Sequence, residues 1–135
     1  MELTLGQIVA AKSAIEHLLG LDPAPIARVA YVIVRNARAM EQYVIDYEKA
    51  RQTLFKLFGE ENEEDKIITI KKENLEKFKE EMRTLSETKV DIPIQAITEK
   101  DLIECEEKRD GFSVPTSILY TAWFIFNDDH DQCDP

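Results

Sequence analysis

The chain has 135 residues, of which 44% are apolar and 33% are charged, with 4 glycines and 5 prolines. This composition is typical of a single folded globular domain and excludes a collagen-like, low-complexity or disordered chain. The formal net charge of −10 argues against direct binding to nucleic acid and against attraction to an anionic membrane.

The excess negative charge is confined to the second half of the chain. Residues 1–59 hold six acidic and seven basic side chains, whereas the remaining 76 residues hold 21 acidic and 10 basic ones. No apolar run approaches the roughly 20 residues of a membrane span, and the N-terminus lacks the basic lead of a secretory signal. We therefore expect a cytoplasmic protein without a membrane partner. Its two cysteines, Cys105 and Cys133, match no disulfide framework.

A first helix is predicted after Thr4. Thr4 and Gln7 have the spacing of a capping box, and apolar residues follow at steps of three and four. This pattern ends near Gly20, and Pro23 and Pro25 then prevent the helix from continuing. We expect the chain to turn over residues 21–25.

The strongest pattern in the sequence is a second, much longer helix. No glycine or proline occurs between Ile26 and Phe58, and a helix over this range is about 50 Å long. Apolar or amphipathic residues recur along it at steps of three and four, as in a coiled coil: Val29, Ile33, Ala37, Met40, Val44, Tyr47, Arg51, Leu54 and Phe58. Arg51 fits this stripe if its stem packs and its guanidinium reaches solvent.

The first helix is long enough to cover only about half of this stripe. The distal half therefore needs another partner, which is either the third helix or a second subunit. We predict that the distal half forms an interface, either in a homo-oligomer or with another protein, through five residues: Val44, Tyr47, Arg51, Leu54 and Phe58.

Residues 60–65 are predicted to form a solvated acidic loop after Gly59. Four of its side chains form a candidate acidic surface: Glu60, Glu61, Glu63 and Glu64. Residues 67–70 have the β-branched composition of a short strand. A third, surface helix follows, with its apolar side formed by Leu75, Phe78, Met82 and Leu85.

Residues 89–97 alternate between apolar and polar side chains, as in a half-buried strand that Pro93 restricts to an edge. We expect this strand to pair antiparallel with residues 67–70. Thr98 and Asp101 predict the start of a short helix. Ser113 is expected to cap a last helix that is apolar nearly all round, and this pattern places Trp123 and its neighbouring phenylalanines in the core.

The predicted fold class is mainly α with a minor β-ribbon. It combines a helical hairpin with one long helix, a small two-strand antiparallel ribbon flanking a third helix, and a short apolar C-terminal helix. Residues 1–127 are expected to form one domain, followed by an acidic, disordered tail over residues 128–135.

The sequence offers few candidates for catalysis or metal binding. His17 is interpreted as a surface or boundary residue and Cys105 as a boundary thiol, because neither has a convergent partner nearby in the sequence. His130 and Cys133 lie among four aspartates, but their spacing matches neither an EF-hand nor a zinc motif. We therefore assign no catalytic, cofactor-binding or metal-binding residue, and we predict that the protein is not an enzyme.

Several segments resemble a group of small uncharacterised proteins from bacterial phages and prophages. The resemblance extends over residues 3–126 and is most specific in the segment AR…YEKAR of the long helix and in NLEKF of the third helix. It implies a phage-encoded accessory or interaction protein, acting in the host cytoplasm, with itself and a host or phage protein as partners.

Two functions follow as expectations. The first is non-catalytic protein binding, with assembly through the long helix. The alternative is an acidic inhibitor, in which carboxylates imitate nucleic-acid phosphates and block a host nucleic-acid-binding or defence protein.

Overall fold

The computed structural model describes residues 1–126. Within these residues the elements follow one another in this order: β1 (Glu2–Thr4), α1 (Leu5–Leu18), α2 (Ala27–Phe58), β2 (Gly59–Glu61), β3 (Ile68–Ile70), a 3₁₀ turn (Lys72–Asn74), α3 (Leu75–Glu87), β4 (Lys89–Asp91), α4 (Glu99–Lys108), α5 (Thr116–Thr121) and α6 (Trp123–Phe126). The predicted fold class, mainly α with one long helix and minor β-structure, is confirmed. The predicted tail over residues 128–135, including His130 and Cys133, lies outside the described residues.

The capping box at the start of α1 is formed as predicted. The Gln7 amide donates to Thr4 Oγ1 at 3.1 Å, and the Thr4 amide donates to Gln7 Oε1 at 2.9 Å. These two bonds satisfy amide groups that the first helical turn leaves without partners. They also fix the point at which the chain changes from strand β1 to helix α1.

The hydrophobic core lies between α1, the first half of α2 and the segments that follow α3. Its α1 residues are those predicted from the three- and four-residue spacing: Ile8, Ala11, Ile15 and Leu18. Helix α2 adds Val29, Val32, Ile33 and Met40, and the C-terminal elements add Cys105, Ile118, Ala122, Phe124 and Ile125. The first half of α2 is therefore the central element of the fold.

The predicted strand pairing is wrong. β3 pairs antiparallel with β2, in a register that aligns Glu60 with Thr69. β4 pairs antiparallel with β1, in a register that aligns Leu3 with Val90. Closing the short loop between β2 and β3 costs less chain entropy than pairing β3 with β4 across an intervening helix. The acidic loop expected over residues 60–65 is accordingly shorter, because its first residues belong to β2.

The strand expected over residues 89–97 ends at Asp91. Beyond it, the buried side chain of Asn36 takes the place of a neighbouring strand. Asn36 Nδ2 donates to the Gln95 carbonyl at 2.9 Å, and the Gln95 amide donates to Asn36 Oδ1 at 2.9 Å. This pair of bonds holds the extended segment against α2, where Ile92 and Ile97 enter the core.

The prediction of a single C-terminal helix after Ser113 is also wrong, since the segment forms two short helices, α5 and α6. Pro115 precedes the first turn of α5, and Ala122 separates α5 from α6 with φ −114° and ψ 34°. Tyr120 and Trp123 are exposed, whereas the core side of these helices is formed by Ile118, Ala122, Phe124 and Ile125. A small domain cannot bury every side of a terminal helix, so the side away from α1 and α2 stays in water.

Candidate partner-binding surface

The described residues contain no convergent set of catalytic or metal-ligating side chains. Among residues 1–126, no three His, Cys, Asp or Glu side chains come together in a way that could hold a metal ion. His17 is exposed on α1. Cys105 is completely buried in the core, so it is not the boundary thiol that the sequence predicted. It is buried because the side of α4 that carries Cys105 faces the core.

The densest charge network joins the start of α2 to α4. The Arg28 guanidinium forms an ion pair with Asp101 and lies 2.7 Å from Glu104 Oε2. Lys108 Nζ lies 2.9 Å from Glu104 Oε1. These contacts attach α4 to the long helix, so the network is structural.

The pKa values in this network follow from its geometry. Burial would raise the pKa of Asp101, but hydrogen bonds from the Thr98 amide and from Arg28 outweigh it and lower the pKa. Hydrogen bonds from Lys108 and Arg28 lower the pKa of Glu104, and both carboxylates raise the pKa of Arg28. All three groups are therefore held in their charged forms at neutral pH.

The distal half of the α2 stripe contacts α3. The ring centroid of Phe78 lies 5.0 Å from that of Phe55 and 6.4 Å from that of Phe58. Tyr47 Oη lies 3.4 Å from Ser86 Oγ. The sequence left two possible partners for the distal half, the third helix and a second subunit. The structure shows the contact with the third helix. The five predicted interface residues are all half-buried: Val44, Tyr47, Arg51, Leu54 and Phe58. That these residues also contact a second chain stays a prediction.

Arg51 fits this half-buried stripe through an aromatic contact. Its Cζ lies 5.2 Å from the Phe55 ring centroid, and its Nε lies 3.6 Å from Glu48 Oε2. The side chain is 38% exposed. The stem is thus covered while part of the guanidinium reaches solvent, as predicted for an arginine in this position.

The acidic surface is formed at the β2–β3 hairpin. Its four predicted carboxylates are all exposed: Glu60, Glu61, Glu63 and Glu64. Glu60 lies 3.9 Å from Lys71 Nζ, and both side chains are largely in solvent. Within the described residues the other three carboxylates make no ion pair, so most of their negative charge is uncompensated.

Sequence reasoning missed an aromatic groove between α1 and α5, which we call the α1–α5 groove. The groove has a volume of about 860 Å³. Six residues line most of it: Gly6, Gln7, Ala10, Leu119, Tyr120 and Trp123. Tyr120 is 84% exposed and Trp123 is 50% exposed, so the prediction that Trp123 lies in the core is wrong. Large exposed aromatic side chains beside an apolar groove are typical of protein-binding surfaces.

The spacing of the C-terminal residues separates the two sides of this segment only in part. In a continuous helix Ile118, Ala122 and Ile125 lie on one side and Tyr120 and Trp123 on the other, but the buried Phe124 would then lie on the same side as Tyr120. Because the helix breaks at Ala122, the spacing alone does not predict which of the aromatic side chains are exposed.

Comparisons with protein-family models, with curated proteins and with solved structures found no match for this chain. None of the helices within residues 1–126 combines the length and the hydropathy needed to cross a lipid bilayer.

Proposed function

We propose that the chain is a non-catalytic, phage-encoded protein-binding module, which recognises a host or phage protein in the host cytoplasm through the α1–α5 groove. The observation that carries this proposal is the exposure of Tyr120 and Trp123 beside the groove. The resemblance to small phage and prophage proteins supports the phage origin and the cytoplasmic setting.

The physical argument is the free energy that partner binding gains from these two rings. Removing apolar surface from water contributes about 25 cal/mol per Å². Tyrosine and tryptophan lose little conformational entropy when they are fixed, and they keep a polar group for the rim of an interface. A partner would gain less free energy by binding the distal half of the α2 stripe, since α3 already packs against it.

The chain carries a single tryptophan, so Trp123 fluorescence reports directly on the groove. The partner is first identified by co-purification from a host lysate and is then titrated against the purified chain. We expect Tyr120→Ala and Trp123→Ala each to weaken the Kd by about tenfold or more. For the wild type we expect the emission of Trp123 to move to shorter wavelength on binding, because water leaves the indole ring.

Leu57→Ala is the matched control, because Leu57 is 68% exposed, between Trp123 and Tyr120, but lies on α2. This variant should bind the partner with an unchanged Kd. Two results together would contradict the proposal. The partner would bind Tyr120→Ala and Trp123→Ala as tightly as the wild type, and it would leave the Trp123 emission of the wild type unshifted.

The second candidate function is the acidic inhibitor. The observation that favours it is the β2–β3 hairpin, which presents Glu61, Glu63 and Glu64 in solvent without an ion pair among the described residues. Such a projecting row of carboxylates has the charge to occupy the basic groove of a nucleic-acid-binding protein.

A further inference from the structure

The outward face of α2 carries a set of exposed residues that no other element covers. Val34, Arg38, Glu41 and Ile45 are spaced four, three and four residues apart and therefore lie on one side of the helix. Val34 is 41% exposed and Ile45 is 39% exposed, and the two residues between them are exposed as well. We call these four residues the outer stripe.

The outer stripe is complementary to itself when it is reversed. In two antiparallel copies of α2 related by a two-fold axis between Ala39 and Met40, Val34 of one copy faces Ile45 of the other. Arg38 then faces Glu41 of the other copy. The axis repeats both contacts, which gives two apolar pairs and two ion pairs.

Both charged groups of the outer stripe are available for such pairs. Within residues 1–126, neither Arg38 nor Glu41 forms an ion pair or a side-chain hydrogen bond. Within one helix, an acidic residue before a basic one is the favourable order, and here the order is reversed. A second copy therefore supplies each of them with a better partner than its own helix does.

The neighbouring helix α1 extends this surface. A shallow groove runs between α1 and α2, and α1 contributes Leu19, Lys12 and Glu16 to its lining, opposite Val34, Arg38 and Glu41 of α2. Leu19 is exposed at the end of α1. Leu19 therefore adds one apolar side chain to the surface, while Lys12 and Glu16 already form an ion pair with each other within α1.

The distribution of charge selects the antiparallel arrangement. A parallel pair would place the two acidic β2–β3 hairpins side by side, where their carboxylates repel each other. In the antiparallel pair each hairpin lies about 30 Å from the two-fold axis, on opposite sides. Each hairpin then lies beyond the N-terminal end of the other α2, the end at which the helix dipole favours negative charge.

We propose that the protein forms an antiparallel homodimer through the outer stripe of α2. The overlap of the two helices in this register extends over residues 27–52, about 39 Å. The contact uses neither the α1–α5 groove nor the distal residues that α3 covers, so it is independent of partner binding at the groove.

Charge reversal tests the proposal. By light scattering or sedimentation, the wild type should have twice the monomer mass of 15.6 kDa at micromolar and higher concentrations. Arg38→Glu and Glu41→Arg should each weaken the dimer by tenfold or more, since each creates two like-charge pairs. The double variant should restore the dimer, because the reversed pairs attract again, and this restoration excludes misfolding as the cause of the loss.

Lys79→Glu on α3 is the control, because it changes the net charge by the same amount as Arg38→Glu but lies away from the outer stripe. This variant should remain dimeric. A wild type of monomer mass throughout the concentration range, a dimeric Arg38→Glu variant, or a double variant that stays monomeric would each overturn the proposal.

Cysteine cross-linking tests the register. In a Cys133→Ser background, a mixture of Val34→Cys and Ile45→Cys chains should form a disulfide-linked dimer, whereas each variant alone should cross-link poorly. The native Cys105 is buried and does not compete. Equal cross-linking of Val34→Cys with itself would overturn the antiparallel register.

Discussion

At the scale of single residues, Asp101 combines two structural roles. It accepts a hydrogen bond from the Thr98 amide at 3.0 Å, which completes the capping box of α4. It also forms an ion pair with Arg28 on α2. Because its side chain is almost fully buried, the loss of its charge would leave both partners poorly compensated.

We predict that Asp101→Asn lowers the free energy of unfolding at pH 7 by about 1–2 kcal/mol, because the charge-assisted bonds are lost. The pKa of Asp101 is lower in the folded protein than its ordinary value of 3.8. The stability that it contributes is therefore complete above that value and is lost as the pH falls through the folded pKa. Urea unfolding at pH 7 and at pH 3 measures both effects.

Asp110→Asn provides the control for this prediction, because Asp110 is exposed in the turn after α4. It should change stability by less than about 0.5 kcal/mol. A difference between wild type and Asp101→Asn that stays constant down to pH 2 would contradict the assigned role.

At the scale of elements, α3 depends on the distal half of α2 for its burial. None of its residues is fully buried, and its main aromatic contacts join Phe78 to Phe55 and Phe58. On its other side, Gly6 of α1 approaches Ser86 so closely that an added Cβ would lie 3.2 Å from the Ser86 carbonyl oxygen. Helix α3 is therefore held by few contacts, of which Phe78 is the largest.

We predict that Phe78→Ala lowers the free energy of unfolding by about 2 kcal/mol, since it removes apolar burial and two aromatic pairs. Amide hydrogen exchange should accelerate in α3 and in the β2–β3 hairpin more than in α1, because the main core does not touch Phe78. Phe78→Leu should recover most of the loss, as it keeps an apolar side chain at this position. If amide exchange accelerated equally in all helices of the Phe78→Ala variant, the conclusion that α3 is held mainly by Phe78 would be contradicted.

At the scale of the whole molecule, charge and exposed apolar surface are separated. The acidic hairpin lies at the far end of α2, whereas the α1–α5 groove is next to the main core. The two candidate functions therefore use different surfaces and respond differently to salt.

We predict that partner affinity changes by less than threefold between 50 and 300 mM salt. Over this range the Debye length shortens from about 14 Å to about 6 Å. This change weakens charge pairs but leaves burial of Tyr120 and Trp123 unaffected. A variant with glutamine at positions 60, 61, 63 and 64 should likewise bind the partner with an unchanged association rate, as measured by stopped flow.

A steep salt dependence together with slow association of the glutamine variant would instead favour the acidic inhibitor. The control for the variant is a chain with glutamine at positions 76, 80, 81 and 87 of α3, which carries the same change in net charge away from the hairpin.

Elements whose signals are local could be predicted from the amino-acid sequence. The capping boxes at Thr4 and Thr98, the unbroken run of α2 and the core positions of α1 all depend on residues within a few turns of one another. Helix periodicity and capping are short-range properties, so they can be determined without knowledge of the fold. The exposure of the acidic carboxylates follows in the same way from their charge.

The contacts between elements could not be predicted in this way, because they depend on the assembled fold. Nothing local to residues 89–97 indicates that their partners are β1 and the Asn36 side chain, because strand pairing depends on where the intervening helix places each end. The exposure of Tyr120 and Trp123 was decided in the same way. A helix of mixed aromatic and aliphatic residues has two possible buried sides, and the choice between them depends on the position of α1 and α2, which no short stretch of sequence specifies.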